Sequence, residues 1–285
     1  MTTSEIAEIT ATRQAFEAFE SYTKLPANSP TWRALWEQER KRCLEGYHFG
    51  SDFVPGYLYD YMNFSPIMVA ETIIPETEEE AEELKNNVIS LQANRIEGFP
   101  SWWDGLYDYA MYLDESEKSG KHSFLLGSRR KGKSFYAASM CNRNYFHIAN
   151  SKSYVVAHDK QYLTQDGIMN KVVDIMNFRD QHTPWAKRRQ YKDTEMHKRS
   201  SVQSVVGGKK VETGWMSEII ALTVGDDPNK VRGKAGKLVI FEEVGSFPKL
   251  LNCWRILRPS MQVGNQMVGM MLGIGTGGDE NANFI

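Results

Sequence analysis

Eight consecutive residues, Gly127-Ser128-Arg129-Arg130-Lys131-Gly132-Lys133-Ser134, have the side chains and spacing needed to hold a row of phosphates. They fit the pattern G-x-x-x-x-G-K-[ST] at every fixed position. The glycines let successive backbone N–H groups curl around an anion. Lys133 is placed to reach the β- and γ-phosphates, and the Ser134 hydroxyl is a ligand for Mg²⁺. His122–Leu126 reads as a short apolar strand in front of the loop. Phe135–Met140 reads as the start of a helix behind it, whose N-terminal partial charge favours an anion. The chemistry implied is binding of a nucleoside triphosphate, ATP, with Mg²⁺.

A second segment supplies acids. Lys237-Leu238-Val239-Ile240-Phe241-Glu242-Glu243 is an apolar strand ending in two carboxylates. Four apolar residues in a row suit a parallel strand covered on both faces. In phosphate-loop ATPases such a strand lies near the loop strand. Its first acid, here Glu242, joins the Mg²⁺ shell; its second, Glu243, polarises the attacking water. An Asp is usual at the first position, so the extra methylene of Glu242 is expected to shift the metal or interpose a water. Two acids at a strand end alone would describe many surfaces; the loop upstream gives them weight. A third apolar strand, Met267–Gly273, is capped by Ile274-Gly275-Thr276-Gly277-Gly278. Thr276 stands where a small polar residue can sense the γ-phosphate, and a plain Gly-rich turn is the alternative.

These segments need a scaffold, and the chain alternates strand and helix in the order that makes one. Ser153–Ala157 reads as a strand and Gln161–Phe178 as a helix. Residues 202–224 read as a hairpin excursion with a Gly207-Gly208 turn, followed by Ile219–Val224. The acidic strand, a helix near Leu250–Leu257 and the strand Met267–Gly273 follow. The order predicts an α/β fold of phosphate-loop NTPase type, with an additional strand, a mostly parallel sheet and helices on both faces. A mainly helical extension over residues 1–90 is expected before a core at 91–285. Residues 1–45 read as helical, broken near Pro26 and Pro30. Tyr57, Tyr59 and Tyr61 alternate as in a strand. Residues 76–97 read as a helix that begins with the acidic run Glu76–Glu83, a solvated helix start. The aromatics of 46–70 read as packing against the core, or as a stacking platform for nucleic acid.

Overall charge says little about partners. The 285 residues carry 34 Lys and Arg against 36 Asp and Glu, a net charge of −2. Its distribution says more, because residues 179–237 hold 13 Lys and Arg against 7 Asp and Glu. Within that stretch Lys187, Arg188, Arg189, Lys192, Lys198 and Arg199 form a basic run. It can track phosphates of double-stranded DNA without reading bases, or simply be a solvated basic face. Cys43, Cys141 and Cys253 are odd in number and far apart, which suits a reducing compartment and argues against a disulfide framework. No secretory signal and no run of membrane-spanning length is present, so no membrane partner is expected.

Taken together, the motifs resemble the ATPase domain of the large terminase subunit of tailed bacteriophages, which drives DNA into procapsids. The resemblance covers roughly residues 95–280. It rests on the Arg-rich loop with Arg129 after Ser128, on Arg232-Gly233 ahead of the acidic strand, on Glu242-Glu243 at its tip, and on Gly275-Thr276-Gly277. It implies that Lys133 and Arg129 stabilise charge on the phosphates and that Thr276 couples phosphate state to a DNA-gripping element. It also points to Arg232 as an arginine offered to a neighbouring subunit's site, with a structural salt bridge as the alternative. The implied partners are double-stranded DNA, a portal protein, a small terminase subunit and further copies in a ring, the isolated chain being monomeric. The implied location is the cytoplasm of the infected host rather than the mature virion. Two departures stand out. The family's Gln-containing adenine motif has no counterpart upstream of the loop, where Gly98–Asp104 offers Trp102 and Trp103, to stack on adenine or to pack in the core. The nuclease domain expected after the ATPase core is absent, so the chain reads as truncated at its C-terminal end. Another DNA-dependent ATPase of helicase type, or a catalytically weak nucleotide-binding assembly module, fits the same motifs.

Overall fold

The computed structural model describes residues 2–70, 95–129, 131–165 and 167–276. The sequence-based helix over 76–97, its acidic run, Arg130 and Gly277-Gly278 lie wholly or mostly outside the described residues.

The chain begins with helices α1 (Thr3–Ile9), α2 (Ala11–Phe19) and α3 (Pro30–Glu45). Pro30 starts α3 because its fixed φ suits a first helical turn, and the Ser29 hydroxyl accepts the Trp32 N–H as a cap. A small hairpin, β1 (Tyr47–Phe49) with β2 (Asp52–Val54), leads into α4 (Gly56–Phe64). All residues of α4 are buried. That explains why the alternation of Tyr57, Tyr59 and Tyr61 misleads: a segment covered all round carries no amphipathic period, and the strand expected there is a helix. The packing role expected for these aromatics is what α4 shows. β3 (Ile67–Ala70) pairs antiparallel with β4 (Arg95–Gly98), so the last residues of the expected 76–97 helix are extended.

The core follows as α5 (Asp104–Lys118), β5 (Ser123–Leu126), α6 (Lys133–His147), β6 (Lys152–Ala157), α7 (Gln161–Thr164) and α8 (Ile168–His182). The single helix expected over Gln161–Phe178 is thus two, with Gly167 as the N-cap of the second. Then come β7 (Lys192–Thr194), β8 (His197–Arg199), β9 (Val202–Val206), β10 (Lys209–Thr213), β11 (Glu218–Thr223), β12 (Leu238–Phe241), α9 (Leu250–Leu257), β13 (Gln262–Val263), β14 (Gln266–Met267) and β15 (Met270–Gly275).

Among the described residues, seven strands form the central sheet in the order β5-β15-β12-β6-β11-β8-β7. β5, β15, β12, β6 and β11 are parallel, and β8 and β7 extend the edge antiparallel. β15 is therefore the additional strand between the loop strand β5 and the acid strand β12. β9 and β10 do form the expected hairpin, with Gly207 and Gly208 both at positive φ, but β11 leaves it and joins the core beside β6.

Both faces of the parallel strands are covered. Val155, Leu238, Ile240, Met270, Leu272 and Ile274 face a cluster that includes α4, α6 and α8. Tyr154, Val156, Val239, Phe241 and Met271 face a second cluster with Leu250, Cys253 and Leu257 of α9. This is why these strands read as unbroken apolar runs.

One buried ion pair fastens α4 to α8. The Arg179 guanidinium and the Asp60 carboxylate are both fully buried. Arg179 donates to the two Asp60 oxygens at 3.0 and 2.5 Å, to the Phe64 carbonyl at 3.0 Å and to the Ser65 hydroxyl at 2.8 Å. Ser139 of α6 donates to Asp60 at 3.1 Å, so three helices meet on one carboxylate. Burial alone would raise the Asp60 pKa; Arg179 and His147 outweigh it and hold the carboxylate well below its usual range. Cys43, Asp60 and His147 lie close enough to share a cation, but Arg179 already supplies the positive charge there. All three cysteines are free and buried. No helix among the described residues is long and apolar enough to cross a membrane.

Candidate nucleotide site

The phosphate loop runs from the end of β5 to the start of α6, as the sequence requires. Gly132 caps α6 with φ at +73°, and a Cβ there would meet the Tyr61 hydroxyl at 3.3 Å. Only glycine takes that backbone without strain. The Lys133 ammonium donates to the Gly127 and Ser128 carbonyls, each at 2.8 Å. It stands across the loop, where phosphate oxygens would take over those bonds. Burial lowers its pKa, against the pull of Glu243 and Glu242.

The acids arrive at the same place from β12. The Ser134 hydroxyl donates to Glu242 Oε1 at 2.7 Å, joining loop and acid strand across 108 residues of sequence. The other oxygen, Glu242 Oε2, is buried and has no hydrogen-bond partner among the described residues. Burial pushes the Glu242 carboxyl up to about 7; Glu243 adds to the rise, while the Ser134 bond, Lys171 and Lys133 oppose it. A buried carboxylate with one orphaned oxygen beside a serine hydroxyl is a hard-oxygen donor set that suits Mg²⁺. Glu243 follows in the left-handed region at φ +50°, a strained backbone for a residue with a side chain. From there Glu243 lines the cavity.

β15 completes the arrangement. The Gly127 N–H donates to the Gly275 carbonyl at 3.3 Å, tying the loop to the strand that carries Thr276. A Cβ on Gly245, just after the acids, would sit 2.3 Å from the Thr276 carbonyl oxygen. Thr276 thus packs against the segment after the acids, and its neighbour Gly275 bonds the loop.

A cavity of about 220 Å³ lies between these elements, lined by Arg129, Lys131, Lys133, Ser134, Glu242, Glu243 and Thr276 among others. That is below the size of a pocket for a whole drug-sized ligand, so it fits a phosphate tail with the rest of the nucleotide outside it. Beside the loop stand Trp103 and Tyr109, edge to face at 5.4 Å, with the Lys131 ammonium 5.3 Å from the Trp103 ring centroid. Trp102 packs instead on Tyr107.

The other expected site residues lie elsewhere. Arg232 is exposed, hydrogen-bonded to Asn229 Oδ1 at 2.8 Å, and does not line the cavity. Most of the basic run on β7, β8 and the segment before them is engaged. Arg189 pairs with Asp180 and Asp193, Lys198 with Asp193 at 2.5 Å, and Arg199 with Glu212 and Glu218. Lys187 is half-buried, its ammonium 4.3 Å from the Trp215 ring centroid. Arg188 is exposed, and Lys192 lies 5.7 Å from the Tyr191 ring centroid. Asp193 inside the run, Asp180 before it, and Glu212 and Glu218 after it supply the counter-charges, and a count of the basic residues alone does not reveal those pairings. Lys171 of α8 lines the cavity as well, and no motif pointed to it.

No protein-family model matches the chain, and no curated protein matches it. Solved structures of similar shape include a variant of the large terminase ATPase domain of Thermus phage P74-26. It is 19% identical with a TM-score of 0.45, covering 60% of this chain and 65% of that one. The large terminase of bacteriophage HK97 is 15% identical with a TM-score of 0.42, over 63% of this chain and 34% of that one. The large terminase of a thermophilic bacteriophage in complex with ADP is 12% identical with a TM-score of 0.38, over 55% and 34%. The chain spans less than two thirds of the first of these and about a third of the other two.

Proposed function

We propose that the chain is the ATP-hydrolysing motor part of a phage large terminase, using Mg²⁺–ATP to move double-stranded DNA. The observation that carries the ATPase reading is the Ser134–Glu242 hydrogen bond at 2.7 Å, which brings the loop hydroxyl and the acid-strand carboxylate to one point. Ser134 and Glu242 would hold Mg²⁺, which when bound offsets charge on the phosphate oxygens. The loop N–H groups and Lys133 bind and orient the phosphates. Arg129, exposed on the cavity rim, adds positive charge to them. Glu243 accepts the proton of the attacking water as its oxygen bonds to the terminal phosphorus. The bond to the bridging oxygen breaks, and its electrons leave with ADP. Thr276, which lines the cavity and packs against Gly245 after the acids, passes the phosphate state onward.

The DNA-packaging reading rests on the motif resemblance: the Arg-rich loop, Arg232-Gly233 and Gly275-Thr276. With it come Arg232 as an arginine acting across a subunit boundary, a portal and small-subunit partnership, and work in the infected cell's cytoplasm. The division into an extension over 1–90 and a core at 91–285 is likewise part of the proposal. The test is ATP turnover with and without double-stranded DNA, for the wild type and for Lys133→Ala. Hydrolysis that DNA stimulates, and that the variant loses by more than about tenfold, is expected. A variant keeping more than a tenth of the activity would overturn the site. Turnover indifferent to DNA would overturn the motor.

A further inference from the structure

Among the described residues, four cations line the nucleotide cavity: Arg129, Lys131, Lys133 and Lys171. Three belong to the phosphate loop. Lys171 does not; it sits in the first turn of α8. Its ammonium donates to the Gly167 carbonyl at 3.3 Å and lies 5.2 Å from the centroid of the Phe135 ring. Lys171 lines the same cavity as Ser134, Phe135 and Glu242, and reaches it from α8 rather than from the loop. Its charge is felt by Glu242, whose carboxyl it helps to hold down against burial.

The position is stiff. Two turns further along α8, about 12 Å by helical rise, Arg179 is locked into the Asp60 carboxylate. A lysine on a helix pinned in this way loses less freedom on meeting a ligand than one on a loop. As the bond to the leaving group stretches, its electrons pass to ADP while charge stays spread over the equatorial oxygens of the transferring phosphoryl, and a fixed cation at those oxygens lowers the barrier.

Building on the nucleotide site read above, we propose that Lys171 is a second phosphate-binding lysine that contacts the terminal phosphate of the bound nucleoside triphosphate from the α8 side. It distinguishes the triphosphate from the diphosphate, which lacks that group. The competing role is packing of its aliphatic stem on Phe135, and the two are separable because Lys171→Met keeps the stem and removes the charge.

The experiment measures binding of Mg²⁺–ADP and of a non-hydrolysable Mg²⁺–ATP analogue, together with kcat and KM for ATP. Wild type, Lys171→Met and Lys171→Arg are compared. For Lys171→Met we expect affinity for the triphosphate analogue to fall by roughly tenfold, affinity for ADP to hold within about twofold, and kcat to fall at least tenfold. Lys171→Arg should recover part of kcat, since it restores the charge. Equal changes for both nucleotides, or none, with kcat kept in Lys171→Met, would overturn this proposal while leaving the nucleotide site standing. A wild-type protein that binds neither nucleotide would overturn the site and the proposal together.

Discussion

Glu242 is buried, and its pKa lies at about 7 in place of the ordinary 4.5. A carboxyl whose pKa is raised by folding opposes the folded state once it must ionise. Between pH 4.5 and 7 the folded protein holds a proton that the unfolded chain has lost, so stability falls as pH rises through that window and is flat above it. A shift of about 2.5 units corresponds to about 3 kcal/mol at pH 8 and to about 1 kcal/mol at pH 5. Replacing Glu242 with Gln removes the titrating group while keeping an oxygen for the Ser134 hydroxyl. The new amide N–H groups must find partners in a buried place, which costs about 1–3 kcal/mol at any pH. The informative quantity is therefore the change in the variant's effect with pH. Relative to wild type, Glu242→Gln should gain about 2 kcal/mol between pH 5 and pH 8, roughly 4–8 °C in melting temperature. The assay is denaturant unfolding of both proteins at the two pH values, without Mg²⁺ or nucleotide. An effect of the substitution that is the same at both pH values would refute the reasoning. It would mean that Glu242 is hydrated or ion-paired, not stranded in a dry site.

Three further outcomes are expected. Glu243→Gln should still bind Mg²⁺–ATP and scarcely hydrolyse it, whereas Glu242→Gln should weaken Mg²⁺ binding; titration calorimetry and turnover would expose a reversed pattern. Asp60→Asn leaves Arg179 charged and underpaired among α4, α6 and α8, and should cost about 3–5 kcal/mol of stability in denaturant unfolding. A loss under about 1 kcal/mol would show that the pair does not fasten those helices. If Arg232 acts between subunits, specific ATPase activity should rise with protein concentration and Arg232→Ala should flatten the rise. Activity strictly proportional to concentration, with a high rate per chain, would return Arg232 to a structural role.

The sequence by itself determined the parts whose physics is local. The loop is legible because the glycines, Lys133 and Ser134 must be neighbours to wrap one phosphate, and Gly132 indeed takes the positive φ that the pattern presupposes. The acid strand is legible because a strand covered on both faces must be apolar throughout, and Leu238–Phe241 is buried at every position. The β9–β10 turn is legible because two glycines at positive φ close a hairpin whatever surrounds it. Tertiary structure decided the rest. Which strand lies between β5 and β12 depends on pairings between distant segments, and local propensity has no access to that. α4 lost its period because it is buried all round, so its alternating tyrosines carried no information about helix or strand. The basic run reads as free charge in sequence, yet Asp180, Asp193, Glu212 and Glu218 pair with Arg189, Lys198 and Arg199, half of it, because neutralisation is a property of contacts and not of composition. Lys171 belongs to no motif; it enters the site only because α8 packs beside α6 and carries an ammonium past Phe135 to the cavity.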